Sequence, residues 1–247
     1  MKFKRPVWEM IKERIPVSVM LALSSLIIAY IISIPIGIYS ATHQYTQSDA
    51  ISTLILFILY SLPPFWVATM LIVFMGGGDF FDVFPVFGLN SIGFEKMTYW
   101  ERFGDAAWHL VLPIFCLAYP SLAALSRYMR TSMLEVIRQD YIVTARSKGL
   151  AERVVILKHA LRNSLIPIVT LLASLLPAMI GGSIIIETIF TIPGMGRLMW
   201  EAILARDYPV IMAELTIVSF LTLLGILLAD LLYSVVDPRI VFTKREA

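Results

Sequence analysis

From Pro16 to Ser40 the chain runs for 25 residues without an Asp, Glu, Lys or Arg. About 20 apolar residues wound as a helix cross the hydrocarbon core of a bilayer. Lipid offers no partner for backbone N–H and C=O groups, so such a segment must satisfy them internally, as a helix does. Comparable apolar stretches recur, and the predicted spans are about 16–40, 51–75, 109–130, 164–190 and 210–236. The expected fold class is therefore all-α, a polytopic membrane helical bundle with five spans.

Composition agrees. Of 247 residues, 58% are hydrophobic and only 15% charged, and the mean hydropathy is +0.80, which argues against a soluble enzyme. A net charge of +2, with the basic residues in the gaps between apolar runs, gives no footprint for nucleic acid. The implied surroundings are membrane lipid. Cys116 is the single cysteine and sits inside an apolar run, which excludes a disulfide framework and a cysteine metal site. The apolar run after Met1-Lys-Phe-Lys-Arg is too long for a signal peptide, so it reads as a retained span.

Prolines and glycines punctuate the spans. Pro35 and Gly37 are expected to loosen the first, Pro63-Pro64 to kink the second, and Pro113 and Pro120 lie in the third. Pro167, Pro177 and Gly181-Gly182 are expected bends in the fourth. The connection from Gly76 to Trp108 carries nine aromatic residues, a density that suits the membrane interface. Thr191 to Pro209 reads as a short loop.

The segment from Met133 to Asn163 is different in kind. It holds six of the 20 basic residues, Arg138, Arg146, Lys148, Arg153, Lys158 and Arg162. Such a loop between apolar runs belongs on the cytoplasmic side. One reading is a solvated loop that only fixes topology. A fuller reading has Asp140 capping a helix that starts at Tyr141, with Thr144, Ala145 and Lys148 on neighbouring faces. Gly149 then supplies a left-handed stop, and a return helix with Val154, Val155, Leu157 and Leu161 follows. The outcome is a rigid surface knob.

Holding this loop and the basic tail inside puts residues 1–15 outside, as an extracytoplasmic juxtamembrane segment ahead of a transmembrane domain over 16–247. Lys2, Lys4, Arg5, Lys12 and Arg14 then break the positive-inside expectation.

Asp140-Tyr-Ile-Val-Thr-Ala-Arg-Ser-Lys-Gly149-Leu150, followed by His159-Ala-Leu-Arg-Asn163 and Pro167, resembles the coupling-loop signature of ABC importer permeases. Val143-Thr144-Ala145 stands where the generic signature has Glu-Ala-Ala, and Pro167 follows Gly149 at a longer spacing. This longer form is similar to the dipeptide and oligopeptide permease branch. Ser61-Leu-Pro-Pro-Phe-Trp66, Glu187-Thr-Ile-Phe-Thr-Ile-Pro-Gly-Met-Gly196, Arg206-Asp-Tyr-Pro209 and Val236-Asp-Pro-Arg239 agree with that branch. Gly76-Gly-Gly and Phe84-Pro-Val-Phe-Gly88 resemble its Yej-type peptide importers.

The resemblance implies a permease subunit paired with a second homologous permease, two ABC ATPase subunits and an extracytoplasmic solute-binding protein. Asp140, Tyr141, Thr144, Ala145, Lys148, Gly149, Leu150, His159 and Asn163 would then carry ATPase coupling. It also implies a further helix and an extracytoplasmic segment ahead of residue 1. The chain has no G-x-x-x-x-G-K-[ST] phosphate loop. No cofactor is therefore expected in this chain, and ATP and Mg belong to the partner ATPases.

Intramembrane carboxylates usually face a partner or an aqueous path. Glu187, Glu214 and Asp230 lie near span ends, so interfacial and pathway positions both stand. Pro193, Gly194, Gly196 and Asp207 belong to a loop similar to the family's element near the pore mouth, or to a tight turn. His43, His109 and His159 offer no metal spacing. The alternative function is an ion-coupled secondary transporter using Glu214 or Asp230, although such carriers often carry internal repeats and none is visible here. Gly181-Gly182-Ser183 lacks the partner residues an intramembrane protease needs and reads as a bend.

Overall fold

A computed structural model of the protein describes residues 5–76, 80, 81, 83–165, 168 and 176–236. Gly77 to Asp79, Pro167, the side chains of Pro177 and Asp230, and the tail from Asp237 lie outside the described residues. The described residues form helices α1 (Val7–Thr42), α2 (Gln47–Ser61), α3 (Pro64–Met75), α4 (Tyr99–Ile137) and α5 (Asp140–Ser147). A return helix over 152–164, α6, follows. Then come α7 (Leu176–Gly181), α8 (Ile184–Ile189), α9 (Met195–Ala205) and α10 (Tyr208–Val236).

Among the described residues, α1, α4 and the stretch Tyr208–Leu228 are each long and apolar enough to cross a membrane. α2 and α3 are long and apolar enough only together, across a break bent by 95°, the form of a broken span or a re-entrant loop. Pro63 and Pro64 cause that bend, since neither has an N–H to give the helix ladder. Pro64 takes the first helical position of α3, where no N–H is needed. The Tyr119 hydroxyl donates to the Leu62 carbonyl at 2.7 Å, which satisfies an acceptor at the break.

The expected loosening of α1 at Pro35 and Gly37 is not seen; α1 is one continuous 36-residue helix. Gly37 has another use. A Cβ there would lie 2.5 Å from the Met129 Cβ and 2.9 Å from the Ser126 carbonyl, so the missing side chain is what lets α4 approach. The buried face of α1 continues this with Ser18, Ser25, Ala29, Ser33 and Ser40, which with Gly37 fall at spacings of three, four and seven residues. Small residues on one stripe allow close backbone packing where apolar lipid gives no drive for association. Gly37 lies beside Met129, and Leu21 clusters with Leu112 and Cys116, so α1 and α4 run in the same direction.

α4 exceeds the expected third span at both ends, reaching 39 residues through Pro113 and Pro120. A capping box starts it, with the Thr98 N–H donating to Glu101 at 2.7 Å. The aromatic connection before it folds back onto the bundle. The Trp108 indole donates to the Val83 carbonyl at 3.1 Å, and the rings of Phe84 and Trp108 lie 4.4 Å apart.

The expected short loop over Thr191 to Pro209 holds a helix, the 11-residue α9. Met195, Leu198 and Ala202 form its buried face, at spacings of three and four. They pack with Met10, Ile11 and Val210 into a cluster at one end of the bundle. A second cluster, with Met129, Met133, Ile142, Val155 and Ala160, lies at the other end.

Candidate functional sites: the knob at the end of α4 and the Glu187 node

α4 stops at Ile137, and two residues later the chain enters α5. Asp140 is not the cap expected of it. Gln139 holds the extended cap position, and Asp140 falls in the first helical turn, where a negative charge suits the exposed N–H groups. Thr144 Oγ1 donates to the Asp140 carbonyl at 2.9 Å. Ile142 and Ala145 turn inward against Met133, Val155 and Ala160. Burying such a side chain contributes about 1.5–3 kcal/mol, which fixes a helix too short to hold itself.

Gly149 ends α5 with φ +77°. Its N–H donates to the Arg146 carbonyl at 2.9 Å. A Cβ at Gly149 would meet no atom within 4 Å, so it is backbone conformation rather than space that favours glycine there. Two side-chain ties close the turn. Arg146 forks onto Glu152 with hydrogen bonds of 3.1 and 2.7 Å, a bidentate geometry. That bond, with the charge of Arg146, holds the Glu152 carboxyl below its ordinary range. The Asn163 amide donates to the Tyr141 hydroxyl at 2.7 Å, joining the return helix to α5.

The return helix α6 is not uniform. Its middle, Val155–Ala160, is π-helical, flanked by α-helical turns. Ser132 Oγ donates to the Ser164 carbonyl at 2.9 Å, anchoring α6 to α4. The outcome is a knob with an apolar underside and a mixed outer face. Asp140, Tyr141, Thr144, Lys148, Gly149, Leu150 and Asn163 are exposed, His159 is half-buried and Ala145 is buried. Of the nine residues expected to carry coupling, Ala145 therefore packs the knob and the others form or border its outer face.

Across the bundle, the cap position before α9 is Gly194, which has no side chain with which to cap it. Glu187 on α8 supplies the missing acceptor. It accepts the Arg197 N–H at 2.9 Å and the Ser183 N–H at 3.1 Å, with a further bond from the Gly196 N–H. Ser18 Oγ on α1 donates to it at 2.8 Å and accepts the Met195 N–H at 2.8 Å. Glu187 is 1% exposed. A carboxylate among N–H groups at a helix N-terminus is neutralised by bonds and dipole together.

The glycines make room for it. A Cβ at Gly194 would overlap the Glu187 carboxylate, and one at Gly196 would lie 2.5 Å from the Ile184 nitrogen. Gly182 adopts φ +66°. Ser18, Ser25, Ser121, Ser183 and Glu187 border a cavity of about 210 Å³ between α1, α4 and α8. Pro193 is half-buried beside the node.

Asp207 is buried ahead of α10, its carbonyl accepting the Val210 and Ile211 N–H groups. Glu214 is buried on α10, with Oε2 lacking a hydrogen-bond partner among the described residues. No group of three or more His, Cys, Asp or Glu among the described residues could hold a metal.

Glu187 is legible in the sequence as a carboxylate in an apolar run, but its partners are not. Ser18 lies 169 positions away, and no local spacing announces such a pair. Arg146 and Glu152 were visible as charges, but only the left-handed turn between them brings them into contact.

Comparison with known proteins follows the same lines. The family described as binding-protein-dependent transport system inner membrane component matches residues 33–242. The oligopeptide transport system permease AppB of Bacillus subtilis (strain 168) is 43% identical over 235 residues, covering 95% of this chain and 72% of the relative. The inner membrane ABC transporter permease YejB of Escherichia coli O157:H7 is 38% identical, covering 97% and 66%. The dipeptide transport system permease DppB of Escherichia coli (strain K12) is 37% identical, covering 97% and 75%. The chain thus spans between 66% and 75% of the length of these three relatives.

Proposed function

This chain belongs to the binding-protein-dependent transport system inner membrane components, and from that premise we propose that it forms half of the translocation path of a peptide importer. It is a multi-pass permease of an ABC transporter rather than its ATPase, and the family's name implies ATPase and solute-binding partners. A second homologous permease completes the path, two ABC ATPases bind ATP and Mg on the cytoplasmic side, and the solute-binding protein delivers a peptide from the other side. Relatives named for oligopeptide and dipeptide transport support that substrate class. The ion-coupled alternative has no such support.

The observation that carries the coupling role is the construction of the knob. Ile142 and Ala145 seat α5 on the end of α4, and the Arg146–Glu152 and Tyr141–Asn163 ties brace it against α6. A push on its outer face therefore moves α4 and α6 as one body. Asp140, Tyr141, Thr144, Lys148 and Leu150 meet the ATPase, and closure of the ATPases on ATP is transmitted through α4 to the spans.

In the same reading the node end of the bundle, with residues 1–15, is extracytoplasmic. Glu187, Pro193, Gly194, Gly196, Asp207 and Glu214 border the outer part of the path there. Glu187 acts as a positioning residue for α9 rather than as a contact for solute.

The test is purification of the full complex followed by crosslinking from a cysteine at Leu150. Crosslinks to an ATPase subunit that change with ATP are expected. A purified complex without an ATPase, or a Leu150 site reactive only toward water-borne reagents, would refute the coupling role.

A further inference from the structure

We propose that the groove between α1, α2 and α4, at the knob end of the bundle, binds the phosphate headgroup of an anionic phospholipid. The groove encloses about 470 Å³ and is lined on its polar side by Thr53, Ser126, Arg127 and Arg130. Leu56 and Phe57 line the apolar side. Arg127 is exposed and makes no ion pair among the described residues. Arg130 gives one amino group to Asp49 at 2.8 Å, and its Nε is buried without a partner. The Ser126 hydroxyl, in a residue 1% exposed, is also without one.

Asp49 does not cancel this arrangement. Its carboxylate is already occupied, accepting the Ser40 hydroxyl, the Tyr45 N–H at 3.3 Å and Arg130. With two arginines against one aspartate, the groove carries a surplus positive charge and two unused donors. Phosphate oxygens supply the acceptors this surplus lacks, and guanidinium N–H groups match their geometry.

The apolar wall decides between a lipid and a soluble phosphate. Phe57 lines the groove and, with Leu54 and Ile58, is exposed on α2, an apolar face beside the groove that suits an acyl chain. Basic pockets between membrane helices are a common way of holding anionic headgroups. The inner-leaflet depth of the site rests on the orientation proposed above; the binding chemistry does not.

The experiment uses the purified complex in detergent, with phosphatidylglycerol, phosphatidylcholine and glycerol 3-phosphate as probes and native mass spectrometry to count retained ligand. Phosphatidylglycerol is expected to be retained over phosphatidylcholine. R127Q should lower that retention about fivefold, the factor one arginine near an anionic lipid surface is worth. R127K should restore most of it, and R138Q, outside the groove, should leave it unchanged.

Equal retention of the two lipids overturns the proposal, as does undiminished retention in R127Q or an equal loss in R138Q. Displacement of the lipid by equimolar glycerol 3-phosphate overturns it in favour of a soluble phosphate. Loss of ATPase subunits from the complex counts against the coupling role alone, because lipid retention is read on the permease ion itself.

Discussion

Ser18 Oγ donates to Glu187 Oε1 at 2.8 Å across 169 positions of sequence and accepts the Met195 N–H at the same distance. One hydroxyl thereby ties α1 to α8 and to the start of α9. Removing the carboxylate strands the N–H groups of Ser183, Gly196 and Arg197 in a buried site, and unpaired buried donors are costly. Glu187→Ala is expected to destabilise the subunit by about 3 kcal/mol. Ser18→Ala should cost about 1 kcal/mol, leaving the carboxylate its backbone donors. Thermal unfolding in detergent checks both; equal small losses would mean that α9 is capped by something else.

Gly37 makes a second prediction, about packing rather than polarity. In Gly37→Ala the new Cβ meets Met129 and the Ser126 carbonyl within 3 Å, so α1 and α4 must separate. Overpacking of this kind costs about 1–3 kcal/mol. Gly104→Ala is the control, because a Cβ there meets nothing within 4 Å and alanine favours the helix. A Gly37 variant as stable as the control would rule out the close approach.

These two residues mark what sequence could reveal. Uncharged length marks α1, α4 and Tyr208–Leu228, since lipid imposes one answer on the backbone. Gly149 was legible as a left-handed stop because turn chemistry is local. Gly37 was not: its role comes from Met129 on another helix, and a glycine near a proline reads first as a loosening point. The Thr98-x-x-Glu101 capping box did announce the true start of α4, but the aromatic residues around it drew the segment into the connection. α9 was missed because Pro193-Gly194 signals a turn, although Met195, Leu198 and Ala202 repeat at helical spacing. Its cap lies on another element, where local pattern cannot reach.

A third prediction concerns pH. The hydrogen bond from Arg146, with its charge, lowers the Glu152 carboxyl from the ordinary glutamate range. A depressed acid contributes stability that is fully present above its unfolded value and is lost as pH falls through the folded one. The pair is exposed, so it is worth only about 0.5 kcal/mol. Acidification below the normal carboxylate range should loosen the turn between α5 and α6, and Arg146→Gln should remove that pH dependence. Hydrogen exchange at the Gly149 and Val154 amides, followed against pH in the wild type and the variant, reads both. Identical profiles would mean that the pair does not hold the turn.

Gly149 carries the most direct test of coupling. At φ +77° a β-branched residue is strained by about 1–2 kcal/mol, while the open space around the Cβ position excludes a clash as the cause. Gly149→Val should therefore distort the turn without disturbing the cluster around Ile142, leaving the subunit folded and assembled. ATP hydrolysis should persist in the assembled complex while peptide uptake falls severalfold. Gly149→Asn, which accepts the left-handed region more readily, should lie between the two. The measurement is uptake per ATP hydrolysed in proteoliposomes, with Gly149→Ala as a further point on the series. If uptake per ATP stays at the wild-type value in Gly149→Val, the knob does not transmit ATPase closure through this turn.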